Sequence, residues 1–180
     1  MELVMQRVEK YTAVLEDAVA EKTKELLTEQ RRADTLLREM LPSSIVDKLR
    51  NKVIIEPEYF EAVTISFSDL PGFVTWVVTG TPYDVIALLN SIYSIFDEEI
   101  SSHTLVQKIE TIGDCYMVAS GVPVPVGTEH AAAVCRLAKA LQSAFSRSKL
   151  PEKGLSLRVG IHSDHCAASV IGSKVPRYCL

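Results

Sequence analysis

The sequence predicts an α+β domain preceded by one long helix, and three observations lead to this prediction. The first 41 residues contain neither Gly nor Pro and are rich in Glu, Lys, Leu and Ala, which favour helices. The residues that follow alternate between segments with strand periodicity and segments with helical periodicity. Apolar residues make up 47% of the 180 residues and charged residues 23%, a composition typical of folded globular proteins.

The N-terminal helix, residues 1–41, is predicted to form a coiled coil with a second copy. Polar Lys22 interrupts its apolar seam, and a phase break of this kind changes the local winding of a coiled coil. The alternative is a long solvated helix, which we disfavour because a narrow apolar stripe has nothing else to pack against. The seam residues follow a spacing of four and three: Val4, Val8, Tyr11, Leu15 and Ala18.

A linker, residues 42–60, is expected between this helix and the compact domain, residues 61–180. Pro42 ends the long helix, since the residue before a proline disfavours helical geometry. Ser43 or Ser44 can cap a short second helix that ends near Arg50.

The compact domain is predicted to start with a strand, in which Val63, Ile65 and Phe67 alternate with polar residues. A helix begins at Thr81-Pro82, where Asp84 completes a capping box. The predicted order of strand, helix, strand, strand, helix, strand is the split ferredoxin-like arrangement, with helices on one face of an antiparallel sheet. The later predicted elements are strands over Thr104–Ile112 and Cys115–Ser120, a helix over Thr128–Arg147 with Cys135 on its apolar side, a strand over Leu155–His162, and a further strand through Ala167–Ile171.

Charge and hydropathy exclude several classes of function. The formal net charge is −4, which gives no basic footprint for a nucleic-acid partner. The apolar runs are shorter than a membrane span, and the charged start does not resemble a signal peptide. The four cysteines form no Cys-x-x-Cys pair, which predicts reduced, mostly buried thiols of a cytosolic domain.

Two aspartates are candidates for a metal site. Asp69 ends the first predicted strand, and Asp114 lies in the turn of the predicted hairpin. Because the strands that carry them are neighbours in this topology, both carboxylates can meet at one edge of the sheet. Two hard oxygen ligands beside a loop containing Gly72 suit divalent ions that also hold phosphates. The alternative is that both are ordinary turn or cap residues, and the spacing alone leaves this open.

Six segments, in order, closely resemble motifs of the class III nucleotidyl cyclases, and most closely those of membrane-receptor guanylate cyclases. The resemblance extends from about Tyr11 to Leu180 and includes the helix that precedes the domain. The segments are Glu56–Thr64, Phe67–Asp69, Lys108–Asp114, Tyr116–Gly121, Arg158–Ser163 and Pro176–Leu180.

The resemblance implies the conversion of GTP to cyclic GMP and pyrophosphate in signal transduction. It implies that Asp69 and Asp114 bind two Mg²⁺ or Mn²⁺ ions and that Arg158 contacts the phosphates. It also implies that Glu110 and Cys179 read guanine, in sites that form between the two chains of a homodimer. The loop residues that correspond to the phosphate loop are Leu70, Gly72 and Phe73.

Two other functions stand beside this expectation. An adenylate cyclase is disfavoured, because such enzymes usually carry Lys and Asp in place of Glu110 and Cys179. A non-catalytic dimerisation module is favoured by departures from the family pattern. The departures are Pro71 and Val74 in the phosphate loop, Asp164-His165 in place of Gly-Pro, and Ser169 in place of Gly.

The position of Leu180 bears on activity and location. The family continues beyond this point with a Phe-Gly-Asp-Thr-Val-Asn segment, an Arg that stabilises the transition state and a phosphate-binding Lys. We therefore expect a truncated cyclase domain that is inactive alone. The resemblance places the parent receptor's domain at the cytoplasmic face of a membrane, anchored through upstream segments that are absent from this sequence.

Overall fold

A computed structural model describes residues 1–51, 53–172 and 175–180, without the side chains of residues 2–4. The chain divides into two units, residues 1–47 and 48–180. Within the described residues, every helix lacks either the length or the apolar character that crossing a membrane requires.

The first unit contains the long helix α1 (Glu2–Met40), and α2 (Ser43–Arg50) begins in it. Both helices agree with the sequence prediction. Exposure of Val8, Tyr11 and Leu15 is 59%, 71% and 50%, so the apolar seam is free to contact another molecule. The side chain of Val4 lies outside the described residues, and the coiled coil remains a prediction.

The second unit contains a five-stranded antiparallel sheet with the strand order β2-β3-β1-β4-β5. The order of the first four strands is the predicted ferredoxin-like arrangement. The elements are β1 (Glu58–Asp69), α3 (Phe73–Thr79), α4 (Pro82–Ser101), β2 (Gln107–Ile112), β3 (Cys115–Ser120), α5 (Glu129–Arg147), a 3₁₀ turn (Pro151–Lys153), β4 (Arg158–Ile171) and β5 (Arg177–Cys179).

Helices α4 and α5 cover one face of the sheet, where the core lies. The capping box predicted for α4 is present, with Thr81 and Asp84 bonded to each other's backbone amides. From β1, this face receives three small polar residues, Thr64, Ser66 and Ser68, which are at most 4% exposed. Apolar residues from both helices and from β3 complete the core, among them Leu88, Ile92, Phe96, Val118, Leu137 and Phe145.

Several element predictions were wrong in detail. Helix α3 is absent from the sequence prediction because its β-branched residues favour strands; Phe73 and Trp76 hold it in place by packing against the core. Strand β4 is one continuous strand from Arg158, not two, because it pairs with β1 along its length, across a bulge between Phe60 and Val63. Strand β1 also begins three residues before the predicted start of the domain, and β2 begins at Gln107 instead of Thr104.

The prediction of mostly buried cysteines was also wrong. Cys135 is exposed, whereas Cys115, Cys166 and Cys179 are partly exposed. The apolar side of α5 is centred on Leu137, which is 0% exposed, and Cys135 lies outside that stripe. The exposed thiol therefore contributes little to the core.

Candidate active site

The candidate site lies on the face of the sheet opposite α4 and α5, which we call the open face. Because side chains alternate along a strand, the residues that follow and precede the buried Ser68 point to the open face. Phe67 is 48% exposed there. By the strand register, four site residues lie on the same open face: Asp69 on β1, Glu110 on β2, Cys115 on β3 and Arg158 on β4.

The structure brings Asp69 and Asp114 to the same edge of the sheet. Ser68 pairs with Tyr116 across β1 and β3, so Asp69 lies beside the β2–β3 turn that carries Asp114. The backbone N–H of Leu70 donates a hydrogen bond to Oδ2 of Asp114 at 3.1 Å, which ties the turn to the end of β1. Burial and then the charges of Asp69 and Asp114 raise the pKa of the Cys115 thiol, so both carboxylates act on the residue between them.

Arg158 is the cross-strand partner of Asp69 and forms an ion pair with it. Its Nε donates to Oδ1 of Asp69 at 2.8 Å, and its Nη2 donates to Oδ2. The hydrogen bond from Arg158 holds the pKa of Asp69 below its usual range, although partial burial opposes the shift. Together with Asp114, this pair forms one group of charged side chains where β1 ends and β4 begins.

The predicted phosphate loop leads from Asp69 to α3. Gly72 has a φ of 96°, a conformation that favours glycine, and a Cβ there would lie 3.1 Å from the carbonyl oxygen of Gly154. The amides of Leu70 and Phe73 already donate to Asp114 and to the Leu70 carbonyl oxygen. Pro71 has no amide hydrogen. Within this loop of described residues, Gly72 therefore has the one amide without an intramolecular partner.

Tyr93 supports the turn that carries Asp114, a role that its position in the sequence does not indicate. The residue lies on α4, and its hydroxyl donates a hydrogen bond to the carbonyl oxygen of Gly113. Burial raises the pKa of Tyr93, so the hydroxyl stays protonated and remains a donor. The helical spacing of Tyr93 predicts only a partly buried position. Its hydrogen bond to Gly113 depends on how α4 packs on the sheet.

The two residues predicted to read guanine lie on β2 and β5. Oε1 of Glu110 accepts a hydrogen bond from Nη1 of Arg177 at 3.1 Å. Arg177 precedes Cys179 by two residues on β5, and the Cys179 thiol lies 3.8 Å from the Arg177 carbonyl oxygen. Arg177 thus connects the two predicted residues. Arg177 lies within the motif Pro176–Leu180, and its position in the sequence does not indicate this pairing.

The donor set at Asp69 and Asp114 fits a hard divalent cation. Both carboxylates are partly exposed, so a cation and its water ligands can reach them. Mg²⁺ in proteins is usually held by one or two carboxylates together with substrate phosphates, which matches this arrangement. Arg158 lies beside them and carries a positive charge.

The family profile described as the adenylate and guanylate cyclase catalytic domain matches residues 55–180. The chain belongs to this cyclase family. Its members use divalent metal ions in their catalytic domains. This agrees with the antiparallel sheet and with the acidic site at its edge.

Relatives and solved structures point in the same direction. The cyclase chain is 44% identical over 180 residues to human retinal guanylyl cyclase 1, and 44% identical over 183 residues to mouse guanylate cyclase 2G. The two matches cover 98% and 100% of this chain, respectively. The chain spans only 16% of the length of either relative.

Two crystal structures of guanylyl cyclase domains resemble the fold. One, from the fungus Blastocladiella emersonii, is an atypical dimer with 29% identity and a TM-score of 0.63, covering 70% of this chain and 69% of that one. The other, from Catenaria anguillulae, is in complex with GTP, with 28% identity and a TM-score of 0.62, covering 68% and 66%.

Proposed function

We propose that this cyclase domain is a guanylate cyclase that converts GTP to cyclic GMP and pyrophosphate in signal transduction. The observation that carries the proposal is the joint position of Asp69, Asp114 and Arg158 at one edge of the sheet, with Glu110 on the same open face. An acidic cation site, a phosphate-binding cation and a base-reading carboxylate are the parts that this reaction requires.

In this proposal, Asp69 and Asp114 hold two Mg²⁺ or Mn²⁺ ions. Such ions lower the pKa of the ribose 3′-hydroxyl and neutralise the triphosphate when they are bound. Arg158 donates hydrogen bonds to phosphate oxygens, and a guanidinium is suited to this because of its planar fork of donors. Leu70, Gly72 and Phe73 form the loop along the phosphates, where the missing side chain of Gly72 lets the backbone approach.

Glu110 and Cys179 select the base. A carboxylate at position 110 accepts hydrogen bonds from the N–H groups of guanine, whereas adenine presents no matching pair of donors. The ion pair with Arg177 supports this role, because it limits the rotamers of Glu110. A site built for one pattern of donors rejects the other, since buried polar groups would be left unpaired.

The base-reading role is tested by nucleotide binding to the full chain with Mn²⁺, measured by calorimetry for GTP and ATP. The double variant Glu110→Lys with Cys179→Asp is expected to move the preference from GTP towards ATP. The conservative variant Glu110→Gln, which keeps the size but loses the charge, should lose GTP affinity without gaining ATP affinity. An unchanged GTP-to-ATP ratio in the double variant would refute this assignment.

The active site is proposed to form between two copies of the chain, with metal ligands from one and base-reading residues from the other. The exposed open face, with Phe67 at its centre, and the exposed seam of α1 support a two-fold homodimer. We propose that α1 pairs in parallel and lies between an upstream receptor and the cyclase at the cytoplasmic face of a membrane. Sedimentation equilibrium with and without residues 1–41 tests the helix; equal self-association would make α1 only a tether.

A non-catalytic dimerisation module is the second candidate, and the phosphate loop favours it. Pro71 leaves the loop with the Gly72 amide as its available donor, so fewer backbone bonds can reach a phosphate. Calorimetric binding of GTP with Mn²⁺, to the chain and to Pro71→Val, separates the two functions, because the chain alone is expected to be inactive in turnover. Absence of GTP binding in both proteins would favour the regulatory module.

A further inference from the structure

The two carboxylates of the proposed cation site are held in different ways. Asp114 accepts a hydrogen bond from the Leu70 amide, a backbone donor that is fixed by the end of β1. Both oxygens of Asp69 are instead occupied by the guanidinium of Arg158. The Asp114 carboxylate is therefore positioned by the backbone, whereas the Asp69 carboxylate is covered by an exposed side chain.

The covering side chain can be displaced. The side chain of Arg158 is 71% exposed and that of Asp69 is 32% exposed, so the pair lies in water-accessible surroundings. Exposed ion pairs contribute little net stability, because solvent screens them and two side chains must be ordered. A divalent cation at Asp69 brings twice the charge of the guanidinium and no ordering cost of a side chain.

Arg158 has a second use once it leaves Asp69. It is anchored at the first residue of β4, directly across from the end of β1 where the phosphate loop begins. An arginine that is released here stays within reach of an anion bound by the cation and the loop. Its planar fork fits phosphate oxygens as well as it fits a carboxylate.

We propose that Arg158 is an exchangeable counter-ion: it occupies Asp69 when the divalent cation is absent, and moves to the triphosphate when cation and nucleotide bind. The inference rests on the proposed function. Under this proposal, cation binding and triphosphate binding favour each other. A cation at Asp69 displaces Arg158, which is then available to the triphosphate, and a bound triphosphate draws Arg158 away from Asp69. The cation alone must compete with the guanidinium for Asp69.

The first experiment measures Mn²⁺ binding to the full chain without nucleotide, from the electron paramagnetic resonance signal of free Mn²⁺. Arg158→Met is expected to raise the Mn²⁺ affinity about two- to fivefold, the factor that an exposed ion pair corresponds to. The matched control is Arg147→Met, since Arg147 is 70% exposed and pairs with Glu99 on the surface outside the site. Its affinity should equal that of the unchanged chain.

A lysine variant separates the contact from the charge. Arg158→Lys keeps the charge but replaces the planar fork of donors that fits both oxygens of Asp69 with a single ammonium group, so its Mn²⁺ affinity should lie above that of the unchanged chain. If Arg158→Lys instead matches the unchanged chain, or if Arg147→Met gains as much affinity as Arg158→Met, a general charge effect explains the data and the proposal falls. Circular dichroism checks that each variant keeps the native helix content.

A second probe, tripolyphosphate, tests the destination of Arg158. With saturating Mn²⁺, the unchanged chain should bind tripolyphosphate several-fold more tightly than Arg158→Met, and Arg158→Gln should behave like Arg158→Met. Equal tripolyphosphate affinity would overturn the exchange.

The Asp114→Asn variant distinguishes a failure of the exchange from a failure of the proposed function. If Asp114→Asn binds Mn²⁺ as the unchanged chain does, the cation site itself is wrong, and the exchange is wrong with it. If Asp114→Asn loses Mn²⁺ while Arg158→Met binds it unchanged, the cation site stands and the exchange alone is refuted.

Discussion

The two faces of the sheet use the same strands for opposite purposes. On the helix face, polar groups are buried and paired within the protein: Tyr116 is 1% exposed, and its hydroxyl donates to Oδ1 of Asp97. On the open face, Asp69 and Glu110 remain partly exposed and pair with exposed arginines. The first arrangement stabilises the fold, and the second leaves charges that a ligand can recruit.

The difference is a matter of solvent as well as residue type. A buried donor that loses its partner carries the full cost of desolvation, whereas an exposed one returns to water. Changes on the helix face should therefore alter stability without altering ligand affinity. Changes on the open face should do the reverse, and the following predictions test this separation.

The largest effect is expected from Phe96→Ala on the helix face. Phe96 is 1% exposed and contacts the Tyr116 ring edge-on, with 5.3 Å between ring centroids. Removing a buried phenyl ring leaves a cavity and should lower the free energy of unfolding by about 3–5 kcal/mol. Urea unfolding followed by circular dichroism measures this. The Mn²⁺ affinity of the molecules that remain folded should be unchanged, and a parallel loss of both properties would break the comparison.

The next effect is expected from Asp114→Asn on the open face. The amide keeps an acceptor for the Leu70 N–H but loses the charge, so Mn²⁺ affinity should fall by at least about 10–100-fold, the loss that altering even an outer-shell partner of a metal ligand causes. The melting temperature should stay within about 2 °C. The control is Asp164→Asn, since Asp164 is exposed and bound to His165. If the melting temperature falls sharply while Mn²⁺ binding persists, Asp114 is a turn residue only.

A pair of tyrosine variants sharpens the comparison further. Tyr93→Phe removes the hydroxyl that supports the turn before Asp114 and should lower Mn²⁺ affinity a few-fold by loosening that turn. Tyr116→Phe removes a hydroxyl from the helix face and should cost about 1.5–3 kcal/mol of stability, the value of a hydrogen bond to a charged group. Calorimetric titration with Mn²⁺ and urea unfolding should give opposite rankings for the two variants. Identical rankings would show that the turn that carries Asp114 and the buried helix face respond alike, which would break the comparison.

The fold was predictable from the sequence where the periodicity was unambiguous. The capping box at Thr81 and Asp84 and the hairpin around Gly113 both depend on local signals, and both are confirmed. Helix α3 was not predictable, because its exposed valines favour strands, and the segment is helical through the packing of Phe73 and Trp76 against the core. Local propensity therefore fails where the core determines the conformation.

The candidate site was predictable in its residues but not in its contacts. Alternation and topology bring Asp69 and Asp114 together, yet no spacing rule indicates that Leu70 bonds to Asp114 or that Arg158 covers Asp69. The pairing of Glu110 with Arg177 likewise joins residues 67 positions apart and depends on how β5 approaches β2. These contacts are what turn a set of candidate residues into testable chemistry.

The smallest effect is expected from acid titration of the Asp69–Arg158 pair. The hydrogen bond from Arg158 lowers the pKa of Asp69 in the folded state, so the pair contributes stability above the unfolded pKa, near 4, and this contribution is lost as pH falls through the folded value. Arg158→Met should therefore lower the urea midpoint at pH 6 by a small amount, on the order of 0.1–0.3 M, because the pair is exposed and screened. At pH 2 the variant and the unchanged chain should converge. If the difference in urea midpoint between Arg158→Met and the unchanged chain grows as pH falls, Arg158 stabilises the fold through a contact other than the Asp69 carboxylate. Arg158 would then act as the buried groups of the helix face do, and not as an exchangeable charge of the open face.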